Sequence, residues 1–304
     1  MAAMVEPRKR AVSRREPRQV LWAKGMGRFV RQQPLGFASL LLIALILYAG
    51  LFAPWVAPFD PVATDFSQLL QAPDRVHWAG TDEFGRDIFS RLIHGARSAL
   101  VLGICASLLG GVSGGLLGVT SAYFGGWVDT LLQRLVDILL SLPVIVLALI
   151  VAAVLGRREV LGIDVNLLFA IAIPYVPKAA RVIRAAALTV RTMPYIDAVR
   201  AAGYSHRRII LVHMVPNLMA PWLVLLSAFT AQTILLEASL SFLGVGVTDP
   251  TPSWGLMLSG VAVQSFAQAP WTVLFPGLAI SSTVFAFSLL GDALRDTLDP
   301  KFRE

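Results

Sequence analysis

The side chains that most often carry catalysis are sparse in this sequence, and their spacing does not suit it. The four histidines are His77, His94, His206 and His213, and no two of them are three or four residues apart, which removes the usual zinc site on one helix. None of the four lysines follows a glycine, so the chain lacks the Walker lysine that binds ATP phosphates. The single cysteine, Cys105, can form neither an internal disulfide nor a cysteine-ligated metal site. Any ATP is therefore expected to be hydrolysed by another protein of a larger assembly.

Two side chains within apolar segments are candidates for chemistry. Ser113 lies in a glycine-rich string, as the nucleophile of an intramembrane protease would, but a serine needs a base within hydrogen-bond reach and every histidine lies in a loop or at the edge of an apolar segment. We therefore favour helix packing for Ser113. Glu237 is the one acid well inside an apolar segment, which makes it a candidate for a substrate pathway or for an ion relay. Its position near one end of that segment leaves a structural role open.

A third candidate is the acidic string around Arg86. Asp82, Glu83 and Asp87 offer oxygen ligands of the kind that a divalent cation prefers. A turn fixed by Arg86 and its acidic neighbours explains the same residues without a metal, and we favour it.

The composition indicates what kind of protein positions these residues. Of 304 residues, 56% are hydrophobic and only 15% are charged, which is typical of a chain that crosses a lipid bilayer and argues against a soluble enzyme or a disordered chain. The long uncharged runs predict six transmembrane helices. They lie near residues 35–53, 99–122, 135–155, 166–187, 217–243 and 271–290. The second carries glycines at close spacing, which predicts close helix packing on one side: Gly103, Gly110, Gly111, Gly114, Gly115 and Gly118.

The basic residues predict the orientation. With both termini in the cytoplasm, twenty of the 26 lysines and arginines lie on the cytoplasmic side, nine of them before Pro34. That N-terminal run favours contact with anionic lipids over nucleic-acid binding. The outer segment from Pro54 to Arg97 is rich in proline and predicts a structured loop.

In one cytoplasmic segment, residues 191–216, the start and stop signals predict two short helices. Pro194 suits a first helical turn, and Gly203 suits a left-handed stop. Ser205 can cap a second helix that Pro216 ends or kinks. Tyr195, Val199 and Ala202 form an apolar stripe that we expect to dock into a partner, with the lipid surface as the alternative.

This segment resembles the cytoplasmic EAA loop of ABC importer permeases. The matching positions are Asp197, Ala198 and Val199 for the Glu-Ala-Ala triplet, then Gly203, His213 and Val215-Pro216. Further strings resemble the C-type permeases of the dipeptide, oligopeptide and nickel importers: HWAGTDEFGRDIFSRLIHGAR (77–97), YFGGWVD (123–129), LEASLSFLG (236–244), PTPSWG (250–255) and LGDALRDTLDP (290–300). The similarity runs from about residue 35 to the end of the chain.

The resemblance implies an all-α integral membrane protein with six transmembrane helices, a type I ABC importer permease with cytoplasmic EAA coupling helices. Its partners would be a paralogous permease of the B type, two ABC ATPase subunits that bind ATP and Mg, a periplasmic substrate-binding protein and the bilayer of the bacterial inner membrane. The chain itself would hold no cofactor. The family's role for the loop assigns coupling to the ATPase to six positions: Asp197, Ala198, Val199, Gly203, His213 and Pro216.

The sequence therefore predicts a non-enzymatic permease for short peptides. Nickel, glutathione or another small solute is the alternative within the same class, and an ion-coupled secondary transporter that uses Glu237 is the alternative of another class. Three parts are expected: a basic cytoplasmic segment (1–34), a first transmembrane helix with a structured periplasmic loop (35–97), and the ABC permease transmembrane domain (98–304).

Overall fold

The computed structural model describes residues 31–160 and 162–298, so the predicted basic N-terminal segment lies almost wholly outside the described residues. The described chain is mainly helical. In chain order its helices are α1 (Pro34–Leu51), α2 (Ala53–Val56), α3 (Ile88–Phe124), α4 (Gly126–Leu140), α5 (Val144–Leu155), α6 (Val165–Ala172), α7 (Tyr175–Arg191), α8 (Pro194–Ala201), α9 (His206–Arg208), α10 (Met219–Phe242), α11 (Trp254–Met257), α12 (Val261–Gln264) and α13 (Trp271–Leu298). Strands β1 (Glu159–Val160) and β2 (Ile163–Asp164) form an antiparallel hairpin between α5 and α6.

Within the described residues, four helical segments are long and apolar enough to cross a membrane. They are α1, α3, the continuous helix His206–Phe242, which ends as α10, and α13. Two bent pairs bring the total to six if each pair is one span: α4 with α5, at 93°, and α6 with α7, at 42°. The all-α prediction is confirmed, but the prediction of one unbroken third helix over 135–155 is wrong. Pro143 precedes α5 and cannot donate a helical hydrogen bond, so the chain turns sharply there.

The second transmembrane helix, predicted to start near residue 99, begins much earlier in the structure. α3 starts at Ile88, where the Asp87 carboxylate caps it by accepting a hydrogen bond from the Ser90 backbone N–H at 2.7 Å. Arg91 therefore lies inside the helix, although the sequence placed it outside. Asp82 and Asp249 lie 3.7 and 3.8 Å from its guanidinium nitrogens, and the Pro61 carbonyl accepts from it at 2.9 Å. These partners allow a buried arginine in the first turn.

The glycines of α3 form two stripes rather than the one that the sequence predicts. Gly110, Gly114 and Gly118 face the backbone of α6 and α7, where a Cβ on Gly114 would lie 2.1 Å from the Val176 carbonyl oxygen. Gly103, Gly111 and Gly115 face side chains of α10, including Trp222. The Trp222 indole N–H donates to the Gly111 carbonyl at 3.0 Å. α3 is thus the central helix, with a neighbour in close contact on each side.

Two basic residues of α7 form ion pairs with carboxylates of α4. Both oxygens of Asp129 accept from the Arg184 guanidinium, at 2.5 and 2.6 Å, and Asp137 pairs with Arg181. Each of these two arginines is thus paired with a carboxylate more than forty positions earlier in the chain.

We expect the Asp129–Arg184 pair to stabilise the fold because both side chains are largely shielded, at 19% and 29% exposure. Arg184→Leu alone should lower the free energy of unfolding by about 2 kcal/mol, since it leaves Asp129 unpaired. Adding Asp129→Leu should recover most of that loss. Thermal unfolding of the single and double variants in detergent measures both changes. If the double variant loses as much stability as Arg184→Leu and Asp129→Leu do together, the ion pair contributes nothing to stability.

The segment between α2 and α3 is folded, as predicted. The Arg86 guanidinium pairs with Asp82 at 2.6 Å and with Asp249 at 2.9 Å, so it joins this segment to the loop after α10. Asp82 also accepts from the backbone N–H groups of Phe84 and Arg86. The predicted turn fixed by Arg86 is therefore present. Burial raises the pKa of the neighbouring Glu83 carboxyl.

Candidate coupling site

Residues 191–216 form a compact projection at one end of the helix bundle, which we call the elbow. Its first helix, α8, begins with Pro194 in the first turn. The helix ends just before Gly203, whose φ of +76° is the left-handed conformation that glycine adopts without strain. The Gly203 N–H donates to the Arg200 carbonyl at 2.9 Å, and the Tyr204 N–H to the Val199 carbonyl at 3.2 Å. The predicted start and stop of this helix are both confirmed.

The buried face of α8 packs against this chain itself. Ile196 is fully buried among residues of α3, α7 and the helix after Ser205, and Tyr195 and Val199 lie partly buried against the same cluster. The prediction that the Tyr195–Val199–Ala202 stripe docks into a partner is wrong, because its first two members pack against this chain's own core and only Ala202 of the three is exposed. This packing holds the short helix in a fixed orientation.

The opposite face of the elbow is exposed and charged. Asp197, Ala198 and Gly203 all lie on the surface, and apart from its chain neighbours no described residue has an atom within 4 Å of a Cβ built on Gly203. The Asp197 carboxylate is 3.7 Å from the Arg200 guanidinium, too far for a strong ion pair and 73% exposed. Arg207 and Arg208, at the start of the second elbow helix, are also exposed. The exposed face therefore offers both acidic and basic side chains for contact with a partner.

The end of α3 supports the elbow, a role that sequence reasoning missed. The Tyr123 hydroxyl and the His206 Nδ1 are 2.7 Å apart, and the Arg200 guanidinium lies over the Tyr123 ring. Arg191 donates to the Ala122 carbonyl at 2.8 Å, next to the turn at Gly125. The string YFGGWVD, which resembled the family, was the available signal. Residues at the end of α3 and in the turn that follows contact the elbow and support it.

The sequence left open whether Pro216 ends or kinks the second helix of the elbow, and the structure shows that the helix does not end there. It runs from α9 through a π-helix (Ile209–Met214) and a 3₁₀ turn (Val215–Leu218) into α10. Pro216 has no N–H to donate to the Val212 carbonyl, so the wider and tighter turns carry the helix past it. Pro216 itself is exposed. A single helix thus connects the elbow to the opposite end of the bundle.

His213 lies half-buried within the π-helix. Its ring stacks on Tyr204 with centroids 5.7 Å apart, and its carbonyl accepts from the Asn217 amide at 2.8 Å. Its Nε2 is buried and has no hydrogen-bond partner among the described residues. His213 and Val199 therefore lie beneath the exposed face rather than on it.

Glu237 lies at the other end of the same helix, about 30 Å from Pro216 by helix rise. We call this end of the bundle the far end. The carboxylate is fully buried, and its Oε1 accepts from Ser241 at 2.8 Å and from Ser253 at 3.0 Å. Its Oε2 has no partner in the described part of the chain. The structure does not bring Glu237 together with the elbow residues.

Comparison with known proteins identifies the family. The family described as the binding-protein-dependent transport system inner membrane component matches residues 114–304. The N-terminal transmembrane domain of oligopeptide transport permease C matches residues 21–73. This chain belongs to the binding-protein-dependent ABC transport permeases.

Relatives aligned over most of their length agree with this family assignment. The permease is 40% identical to a dipeptide transport system permease protein of Alkalihalophilus pseudofirmus over 274 residues, which cover 90% of this chain and 88% of the relative. It is 42% identical to a glutathione transport system permease protein of Shigella flexneri over 283 residues, which cover 93% and 91%. Among solved structures, an inward-facing MetNI methionine ABC transporter matches with a TM-score of 0.55 at 17% identity, covering 70% of the permease and 98% of that chain. The fold is that of a type I ABC importer permease.

Proposed function

We propose that this permease pairs with a paralogous permease of the B type to form the translocation path for short peptides. A periplasmic binding protein would deliver the peptide, and two ABC ATPase subunits would bind ATP and Mg and hydrolyse the nucleotide. The names of the relatives support this, because they are dipeptide, peptide and glutathione transport permeases. Glutathione is itself a small peptide, and it remains the substrate alternative, as does nickel or another small solute.

One observation carries the coupling role: an exposed elbow is held rigidly at the end of a continuous helix. Asp197, Ala198, Gly203 and Pro216 would contact the ATPase because they are exposed. Val199 and His213 would act as positioning residues because they lie beneath that face. When the ATPases close, a rigid elbow transmits the displacement into the spans and gives alternating access between the two permeases.

The elbow also supports an orientation. If it contacts cytoplasmic ATPases, then its end of the bundle faces the cytoplasm, and the far end, with the folded segment between α2 and α3, faces the periplasm. Both termini would then be cytoplasmic, in agreement with the distribution of basic residues. We place the permease in the bacterial inner membrane with this orientation.

Glu237 remains the basis of the secondary-transporter alternative. Its carboxylate is fully buried beneath the loop that carries Ser253. A role in the substrate path stays a prediction, and it requires that loop to move so that the carboxylate becomes accessible.

Transport by the complete importer in liposomes tests the function. We expect uptake of a labelled dipeptide only when ATP is enclosed with the ATPase subunits and the binding protein is present on the opposite side. The control omits the binding protein, and a second control replaces ATP with a proton gradient. Uptake driven by the gradient without ATP would overturn the assignment in favour of an ion-coupled carrier.

A further inference from the structure

Three segments enclose a cavity of about 470 Å³ at the far end of the bundle. They are the N-terminal half of α3, the β1–β2 hairpin and the chain that follows α10. We call this cavity the far-end pocket. Its polar lining includes His94, Arg97, Arg157, Glu159, Asp164 and Thr248. Its volume is in the range of sites for small ligands, roughly 300–1,000 Å³.

Some of these polar groups build the walls of the pocket. Arg157 donates to the Thr248 hydroxyl at 2.6 Å and to the Gly246 carbonyl at 3.3 Å, so it ties the hairpin to the chain after α10. Asp164 caps α6 by accepting from the Asn166 and Leu167 backbone N–H groups. These bonds fix the hairpin in place.

The other wall is fixed from α3. The Ser98 hydroxyl bridges the helix to the Pro252 carbonyl at 3.0 Å, beside the same cavity. The far-end pocket is therefore framed by hydrogen bonds that involve all three segments. Such a frame can hold charged side chains at set positions around a ligand.

Two charges of opposite sign remain for a ligand. Arg97 on α3 and Glu159 on β1 line the pocket and are exposed. Neither forms an ion pair with another residue of the described chain. A pocket whose free charges were all of one sign would suit a ligand of the opposite charge. A guanidinium and a carboxylate on different walls suit a molecule that carries both charges.

We propose that the far-end pocket binds a short peptide by its two termini, with Arg97 contacting the carboxylate and Glu159 the ammonium group. This inference rests on the proposed function and names a binding site for its substrate within this permease. An extended dipeptide spans at most about 7 Å, so its two ends fit within a cavity of this size. A guanidinium binds a carboxylate through paired hydrogen bonds, which makes Arg97 the selective partner. Apolar side chains, among them Val101 and Leu102, also line the pocket.

Photocrosslinking tests the site in the complete importer. The probe is a dipeptide of alanine and benzoylphenylalanine, offered with the binding protein to the complex in nanodiscs. We expect mass spectrometry to find the label on residues 94–102 or 157–164. Arg97→Ala and Glu159→Gln should each weaken labelling and raise the KM for dipeptide uptake by about tenfold, because each removes a charge-assisted hydrogen bond.

Arg158→Ala is the matched control, since Arg158 is exposed, directly precedes Glu159 and does not line the cavity. It should leave labelling and KM unchanged. Labelling elsewhere in a wild-type complex that transports the probe would overturn the site but not the function. The proposed site would also be overturned, and the function kept, if Arg97→Ala and Glu159→Gln changed only the stimulation of ATP hydrolysis by the binding protein. That outcome would indicate a surface that docks the binding protein. Absence of ATP-dependent uptake by the wild type would instead contradict the proposed function.

Discussion

An importer that carries Gly203→Pro is expected to hydrolyse ATP while importing about tenfold less substrate than the wild type, or less still. Gly203 has a φ of +76°, whereas proline is held near −65°. Proline also removes the N–H that donates to the Arg200 carbonyl. The direction of the chain between the two elbow helices must therefore change. Uptake and ATP hydrolysis measured on the same liposomes separate this uncoupling from loss of the complex.

Asp197→Lys should uncouple transport in the same way through charge. Asp197 lies in the first turn of α8 on the exposed face, and a lysine there adds a positive charge beside Arg200. The substitution leaves the buried side of α8 unchanged, so the permease should remain in the membrane.

Conservative substitutions at the same two positions are the controls. Gly203→Asn should stay coupled because asparagine tolerates a left-handed conformation better than other side chains. Asp197→Glu should also stay coupled, since it keeps the charge and restores the residue of the EAA pattern. Wild-type uptake by both Gly203→Pro and Asp197→Lys would remove the case for the elbow as the coupling site.

Gly114→Val is expected to cost the permease about 1–3 kcal/mol of stability through overpacking, and to reduce the amount of assembled complex. A Cβ at this position would lie 2.1 Å from the Val176 carbonyl oxygen and 2.8 Å from the Ala179 Cβ. Both neighbours belong to the close contact between α3 and α7, so backbone must move to admit the side chain. The midpoint of thermal unfolding in detergent measures the loss.

Gly277→Val in α13 is the matched control, because no part of the described chain outside the helix's own backbone lies within 4 Å of a Cβ at Gly277. It should unfold at nearly the wild-type temperature. Equal destabilisation by the two substitutions would mean that the cost arises from valine in a helix rather than from the α3–α7 contact.

The sequence predicted the apolar parts of the fold well because hydropathy is a local property. The first helix, expected over 35–53, spans Pro34–Leu51. The ends of the other helices were harder to predict where charges enter the helix. α3 extends over Arg91 because Asp249, more than 150 residues later, lies beside its guanidinium. No local pattern reports such a partner.

The elbow shows the same division between local and distant causes. Pro194 and Gly203 were sufficient to predict where α8 begins and ends, because each residue restricts the backbone at its own position. Which face of α8 is buried depends on Ile183 and Met214, which pack around Ile196 from other elements. The stripe that looked available for a partner was therefore assigned to the wrong surface.

The continuous helix from His206 to Phe242 gives the molecule a lever. Its 37 residues extend over about 55 Å, well beyond the roughly 30 Å of a bilayer's hydrocarbon interior. Pivoting such a lever by about ten degrees around its midpoint shifts each tip by about 5 Å, in opposite directions. If the helix moves as one body, a displacement of its cytoplasmic tip is accompanied by an equal and opposite displacement of its periplasmic tip.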